Sequence, residues 1–580
     1  MAGGVAREQG CPREQGCPRE RRMSPRSGRL AAVHIVVGRS PVGVVLTSED
    51  GGAEVVPEGD FPARVRLLEA DDPRWVWDDT SAWYPRLLEA GVRVGRCVDL
   101  RLSHAILRNS SLVSGSELAQ AERGVWDRPP TRVREPDEAL FALDDVPEAE
   151  PDAVAEWSLQ RDAIEGSDDP GRIGRLLAAE SAGALIAAEM RFAGMPWRAD
   201  VHERLLEELL GPRPQAGERP AKVEALLARV RGLLEVPELN PDSPAELLKG
   251  LARGGVLATS TRSWELRKID HPAIAPLLEY KKLSRLASAN GWNWLDSWVA
   301  DGRFRPDYVV GGVVTGRWAT SGGGALQLPK QVRAAAVADA GWKLVVADAA
   351  QLEPRILAAM AGDRDMVEAG AAGDLYAGIV ARGAIDTREH AKVALLGAMY
   401  GATQGDGGRL MPQLARAYPK AIGMVEDAAR AGERGEIVTT RLGRSSPPPG
   451  ATWRDLQQAA YGEEGSLAAA ERARSYARSW GRFTRNFIVQ GTAAEWALCW
   501  MASLRNRLTA LEPGSWFTTA PHLVFFLHDE LVVHTPQEHA DRVAEEIRAA
   551  AQDAGRLLFG ALPVDFPLTV ATVDNYGQAK

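Results

Sequence analysis

Residues 523–536 read Leu-Val-Phe-Phe-Leu-His-Asp-Glu-Leu-Val-Val-His-Thr-Pro, and no other stretch constrains the fold as much. Two strongly apolar β-type runs flank only three polar residues, His528, Asp529 and Glu530, which predicts a tight hairpin. A His-Asp-Glu turn between buried strands is costly unless those side chains have partners or a task. Taken alone, the same residues also read as a solvated hairpin tip.

A second apolar run begins at Trp342 and ends at Asp348, followed by Ala-Ala-Gln351-Leu-Glu353-Pro354-Arg355. Here a strand should end at Asp348 and a helix should start within a few residues. Pro354 is tolerable in that helix only in the first turn, where its missing N–H would be unpaired anyway. Asp348 then sits at a strand end facing a cleft; an ordinary helix-capping acid is the other reading. A third segment places Arg388, Lys392, Leu396 and Tyr400 four residues apart. On a helix they form one slowly drifting stripe, with cations first, then an aliphatic group, then an aromatic hydroxyl. That order suits a nucleotide lying along the helix, phosphates at the cationic end. It equally describes a helix with a solvated basic start and a core-facing second half.

With 580 residues, two or more domains are expected. Net charge is −9, which by itself argues against nucleic-acid binding, since phosphate contacts need Lys and Arg. The charge is uneven, however. Acids crowd residues 135–169, whereas Lys281, Lys282, Arg285, Arg303, Arg305, Arg317, Lys330 and Arg333 cluster mid-chain, so a basic groove is compatible with the acidic total. No apolar run approaches the roughly 20 residues that would span a bilayer, and the Arg-rich start has no secretory pattern. Cys11, Cys17, Cys97 and Cys499 show no metal-ligand spacing and suit a reducing cytosol.

Residues 1–22 hold a tandem Arg-Glu-Gln-Gly-Cys-Pro repeat, expected to be a disordered tail, with Met23 an alternative start. Beyond it, Ala31–Val37 and Val42–Leu46 read as a hairpin around Gly38–Pro41, residues 83–90 as a helix, and residues 92–100 as a strand running into helix. An acidic linker is expected over 128–169, then helices over 173–192, 199–210 and 221–234.

Together, the three segments resemble motifs A (Asp348), B (Arg388–Tyr400) and C (Asp529) of family A DNA polymerases, and they occur in that order. Thr315-Gly-Arg317 with Leu326-Gln-Leu-Pro329, Leu278–Leu286, Asn240–Leu247, Tyr418-Pro419, Leu442-Gly-Arg444 and Arg482, Asn486, Gln490–Ala494 match further stretches of the family. The resemblance covers about residues 199–580. It implies an α/β and α+β multidomain fold, with a ribonuclease H-like exonuclease-type domain over 23–190 followed by a right-hand polymerase domain over 191–580. Its reduced thumb would occupy about 191–297, its palm and fingers 298–580. It also implies a template-directed DNA polymerase that works on primer-template DNA and dNTPs as a monomer in the cytoplasm, nucleoid-associated, in replication or repair. A catalytically degenerate, polymerase-like DNA-binding protein is the alternative.

The resemblance further implies that Asp348 and Asp529 hold two Mg²⁺ ions, with Glu530 an auxiliary acid. Arg388 and Lys392 would neutralise the triphosphate, Lys392 also offering a proton to pyrophosphate. Gln351, Leu396 and Tyr400 would bound the nucleotide, with Glu353 as the gate against a ribose 2′-hydroxyl. Arg317, Arg482, Asn486, Gln490 and His528 would contact DNA. Leu396 stands where the family has Phe or Tyr, and Ala349-Ala350 where it has Tyr-Ser. In the first domain, strand 31–37 lacks the expected acids, and Ser103 and Ser181 stand where Asp is expected. Proofreading is therefore expected to be absent, and the short thumb predicts low processivity.

Overall fold

The computed structural model describes residues 33–128 and 151–579, apart from 216, 323, 325, 327, 402–404 and 462–465. The tandem repeat and Gln327 lie outside the described residues.

The N-terminal unit is built on strands β1 (His34–Ser40), β2 (Gly43–Ser48), β3 (Ala53–Val56), β4 (Arg74–Trp77) and β5 (Arg96–Asp99). Their order is β3-β2-β1-β4-β5; β1 and β4, and β4 and β5, run parallel, and the hairpin strands antiparallel. The expected hairpin is present with a tighter connection, because Gly38, Arg39 and Ser40 continue the ladder opposite Val45, Val44 and Gly43. Pro41, which has no N–H to give a ladder, falls in the turn instead. From β5 the chain passes directly into the helix Leu100–Leu107, whose first turn is capped by Asp99.

The acidic stretch is not wholly a linker: within it lies the helix Ala153–Glu165. Ala153, Glu156, Gln160 and Ala163 are its buried stripe, and the Glu156 carboxylate meets His104 at 2.8 Å while Gln160 reaches the Leu100 carbonyl at 2.8 Å. A stripe that is half polar hides a core-facing helix from hydropathy. Helices Pro170–Ala193, Ala199–Leu210 and Ala221–Leu234 follow as expected.

Small pairings link the units. β6 (Met195–Pro196), β7 (Val299–Ala300) and β8 (Arg303–Phe304) form one sheet, and β9 (Asp307–Val309) pairs with β10 (Ala319–Gly322). The main sheet of the larger unit is antiparallel throughout: β11 (Trp342–Ala349), β12 (His522–Leu527), β13 (Glu530–Pro536) and β14 (Leu568–Val573), in the order β12-β13-β11-β14. Along β11 the side chains alternate between two cores. Val345 and Ala347 join the cluster of Trp500, Ile547 and Leu531, whereas Leu344 and Val346 join Trp197, Phe304 and Tyr576. A sheet buried on both faces explains why its strands read as unbroken apolar runs.

Behind this sheet runs the helix Leu467–Leu511, 45 residues and so roughly 68 Å long. It packs on Pro419–Glu433 and on Ala540–Phe559, and further along on Pro170–Ala193 of the N-terminal unit. Arg505, near its end, is buried and grips that unit: its guanidinium reaches Glu189 at 2.6 Å and the carbonyls of Val94 and Gly95 at 2.6 and 2.8 Å. Tyr84 donates to the same carboxylate at 2.6 Å. Burial opposes charge on Glu189, but Arg505 and Arg93 hold its carboxyl far below the usual range.

Candidate active site

Asp348 is the last residue but one of β11, and Asp529 lies in the two-residue turn between β12 and β13. The turn requires His528 in the left-handed region, φ +58°. Asp529 N–H closes it on Leu527 O at 2.7 Å, and Ala349 N–H donates to the Asp529 carbonyl at 2.9 Å. That last bond ties the end of β11 to the hairpin tip, so residues far apart in the chain share one rim of the sheet. Both aspartates are half-buried, and His528 is exposed.

Glu530 belongs to the strand, not the turn, and is 3% exposed. It pairs in register with Asp348, while its carboxylate takes Arg333 Nη1 at 3.1 Å and the Tyr576 hydroxyl. Arg333 lies 4.4 Å above the Tyr576 ring, and burial together with Glu530 pushes that phenol well up. The mid-chain basic cluster is therefore split: Arg333 is spent inside the core, Arg303 pairs with Asp339, and only part of it faces solvent.

Beside the aspartates opens a cavity of about 320 Å³ whose wall includes Gln351, Glu353, Tyr376, Leu396, Tyr400 and Asp529. Pro354 is in the first turn of the helix Leu352–Ala361, as its chemistry requires. One residue earlier, Glu353 projects into the cavity, held by Arg317 and by the Tyr400 hydroxyl at 2.5 Å. Burial and the Glu353 charge raise the Tyr400 phenol, which keeps it a donor.

Gln351 has φ +57°, and its amide spans Asp374 Oδ1 and Leu375 N, each at 2.8 Å. Asp374 also accepts from Arg388 Nε at 2.8 Å, and the Arg388 guanidinium lies 5.7 Å over Tyr376. Burial works against ionisation there, yet Arg388 and Gln351 hold the Asp374 carboxyl down to about 2. Asp374 and Tyr376 carry no distinctive sequence signal; Gly373-Asp374 ahead of an apolar run is a plain helix-start pattern. Lys392 is exposed on the same helix as Arg388, whereas Leu396 and Tyr400 reach the cavity.

On the long helix, Arg482 is exposed and bonds Ser479 at 2.7 Å. Its stem runs against Gly401 (φ +73°), where a Cβ would lie 2.7 Å from the arginine Cγ. Gln490 accepts from the Thr315 hydroxyl at 3.0 Å, and Asn486 Oδ1 is buried with no hydrogen-bond partner among the described residues. Thus Arg317 and Gln490 lie on connected elements beside the cavity.

In the N-terminal unit, Ser181 Oγ accepts the Asp99 backbone N–H at 3.1 Å, which sets Ser181 against the end of β5. Asp99 is taken up by the N–H groups of Thr80 and Leu102, at 2.8 and 3.0 Å, and burial beside Asp79 pushes its carboxyl up to about 7. Asp78 and Asp79, which follow β4, have only a plain helix-start pattern in the sequence. Asp78 is engaged by Arg39 at 2.9 Å and Trp83 at 2.5 Å, and Asp79 caps the helix Thr80–Glu89.

An antiparallel sheet thus carries two aspartates on its rim, beside a cavity walled by a helix with a cationic start. The family model described as DNA polymerase family A matches residues 217–578, and the chain belongs to that family. Curated relatives include the thermostable DNA polymerase I of Thermus thermophilus, 27% identical over 351 residues, covering 54% of this chain and 37% of the relative. DNA polymerase I of Chloroflexus aurantiacus is 26% identical over 359 residues, covering 56% and 35%. The matches thus span little more than a third of these relatives' length. Among solved structures, the POL domain of Pol1 from M. smegmatis in complex with DNA primer-template and dNTP has the same fold: TM-score 0.64, 18% identity, 94% of this chain and 96% of that one.

Proposed function

We propose that this chain is a template-directed DNA polymerase that adds dNMP to a primer 3′-hydroxyl and releases pyrophosphate. The observation that carries this is the bond from Ala349 N–H to the Asp529 carbonyl, which brings Asp529 to the strand end bearing Asp348. Two half-buried carboxylates are hard oxygen donors that fit Mg²⁺, an ion commonly held by one or two carboxylates with substrate phosphates completing its shell. Among the described residues no group of three or more candidate ligands converges. The family uses a divalent metal, and two Mg²⁺ ions would activate the 3′-hydroxyl and offset charge on the triphosphate.

This chain's own residues do the rest. Arg388 and Lys392, exposed at the start of their helix, neutralise the triphosphate, and Lys392 supplies a proton to the leaving pyrophosphate. Leu396, Gln351 and Tyr400 bound the sugar and base, and Glu353, fixed by Tyr400 and Arg317, fills the space of a 2′-hydroxyl. Arg317, Arg482, Asn486, Gln490 and His528 track primer and template. Glu530 acts by fixing Arg333 and Tyr576 beneath the rim. Primer extension with Mg²⁺ and dNTPs tests the reading: wild type extends and Asp529→Ala does not. Primer-template binding without extension by either protein would leave a non-catalytic DNA-binding relative.

The N-terminal unit is read as a ribonuclease H-like exonuclease-type remnant that does not proofread. The sheet order β3-β2-β1-β4-β5 supports the likeness. Ser103 and Ser181 in place of Asp, with no acid on β1, support the loss of metal binding. Prompt Mg²⁺-dependent trimming of a mismatched primer end would overturn it.

A further inference from the structure

A second cavity, of about 650 Å³, lies where the N-terminal unit meets the larger one, lined by different residues from the first. Its charge is one-sided. Arg74, Arg96, Arg175, Arg505 and Arg556 line it against a single acid, Asp553. Two of these charges are already balanced: Arg505 by Glu189, and Asp553 by Arg507 at 2.8 Å.

Arg74 and Arg96 are register partners on the parallel strands β4 and β5, so their side chains leave the same face at strand spacing, about 4.8 Å. Like charges placed directly opposite destabilise a sheet. Arg96 is relieved by Asp72 at 3.0 Å, although its Nε is buried with no hydrogen-bond partner among the described residues. Arg74 is half-buried, and among the described residues no hydrogen bond or ion pair of its guanidinium is present. Burial first, then Arg96, pulls the Arg74 pKa down. An arginine kept desolvated beside another cation costs stability unless an anion joins them. Arg175 and Arg556 stand exposed at the same cavity. Opposite the cations the wall is aliphatic, with Ala182, Leu185 and Leu442, and its volume falls in the range of small-molecule sites.

We propose that this inter-unit cavity is a binding site for a phosphorylated small molecule. Arg74, Arg96 and Arg175 take its phosphoryl group, and any organic body lies on the Ala182–Leu185 wall. Free inorganic pyrophosphate and a nucleoside monophosphate share the head chemistry, and only the second uses the wall.

The test is calorimetric titration of the full chain, in EDTA, carrying Arg388→Ala and Lys392→Ala so that the proposed triphosphate site is silent. The titrants are pyrophosphate and dAMP. Binding of at least one anion is expected, weakened about tenfold or more by Arg74→Gln and by Arg175→Gln, each about 1.4 kcal/mol or more. Arg175 is exposed, so its variant folds even if that at Arg74 does not. Ala182→Phe should weaken dAMP and spare pyrophosphate; equal binding of dAMP and pyrophosphate that Ala182→Phe leaves unchanged identifies the free anion. Absence of binding by either anion, or binding indifferent to both arginine substitutions, overturns the site.

Discussion

Tyr400 donates its hydroxyl to Glu353 across 2.5 Å, joining the last turn of one helix to the first turn of another. With Arg317 on the other side, the carboxylate has little freedom to swing out of the cavity. Tyr400→Phe removes one of these anchors, a charged hydrogen bond of about 1.5–3 kcal/mol. We expect the ratio of kcat/KM for dNTP over rNTP to fall about tenfold or more, at 1.4 kcal/mol per decade. An unchanged ratio would remove Glu353 from sugar selection.

Asp529 contributes its carbonyl to the fold and its carboxylate to the proposed chemistry. Asp529→Ala keeps the carbonyl, so the expected outcome is loss of extension by a protein that still folds. A large drop in Tm would mean that the carboxylate is structural.

Glu530 should behave in the opposite way. Glu530→Ala strands Arg333 in the core, and breaking a buried pair costs about 3–5 kcal/mol. Urea unfolding reads this directly. Full stability with only the rate reduced would place Glu530 at the metals instead.

Helices 199–210 and 221–234 could be read from the sequence residue by residue, because Gly211 and the Pro/Gly stretch before Ala221 interrupt them. Pro354 likewise fixed where its helix begins. What could not be read were partnerships made only by folding. Arg333 and Tyr576 lie 197 and 46 residues from Glu530, so an acid that looked like part of a turn gave no sign of its buried partners. Asp374 was hidden for another reason: one carboxylate both caps a helix and holds Arg388, and only the first role has a local pattern.

Glu495 gives a pH prediction. It is 1% exposed on the long helix, and burial pushes its carboxyl up to about 7 from 4.5, against bonds from Thr440 and Leu442 N–H. Between those values the unfolded chain has released the proton that the folded chain retains, so stability falls as pH rises from about 4.5 to 7 and then levels off. Asp99, raised to about 7, acts in the same direction. Glu495→Gln should flatten its share of the slope in denaturant melts across that window; a slope identical to wild type would show that Glu495 ionises normally.

The helix Leu467–Leu511 has a mechanical consequence. Asn486 and Arg505 sit on one unbroken rod, and Arg505 is clamped by Glu189, Val94 and Gly95 of the N-terminal unit. A rod cannot tilt at one end alone. The N-terminal unit can therefore act as ballast, setting the pitch at which its neighbour would meet the proposed primer-template.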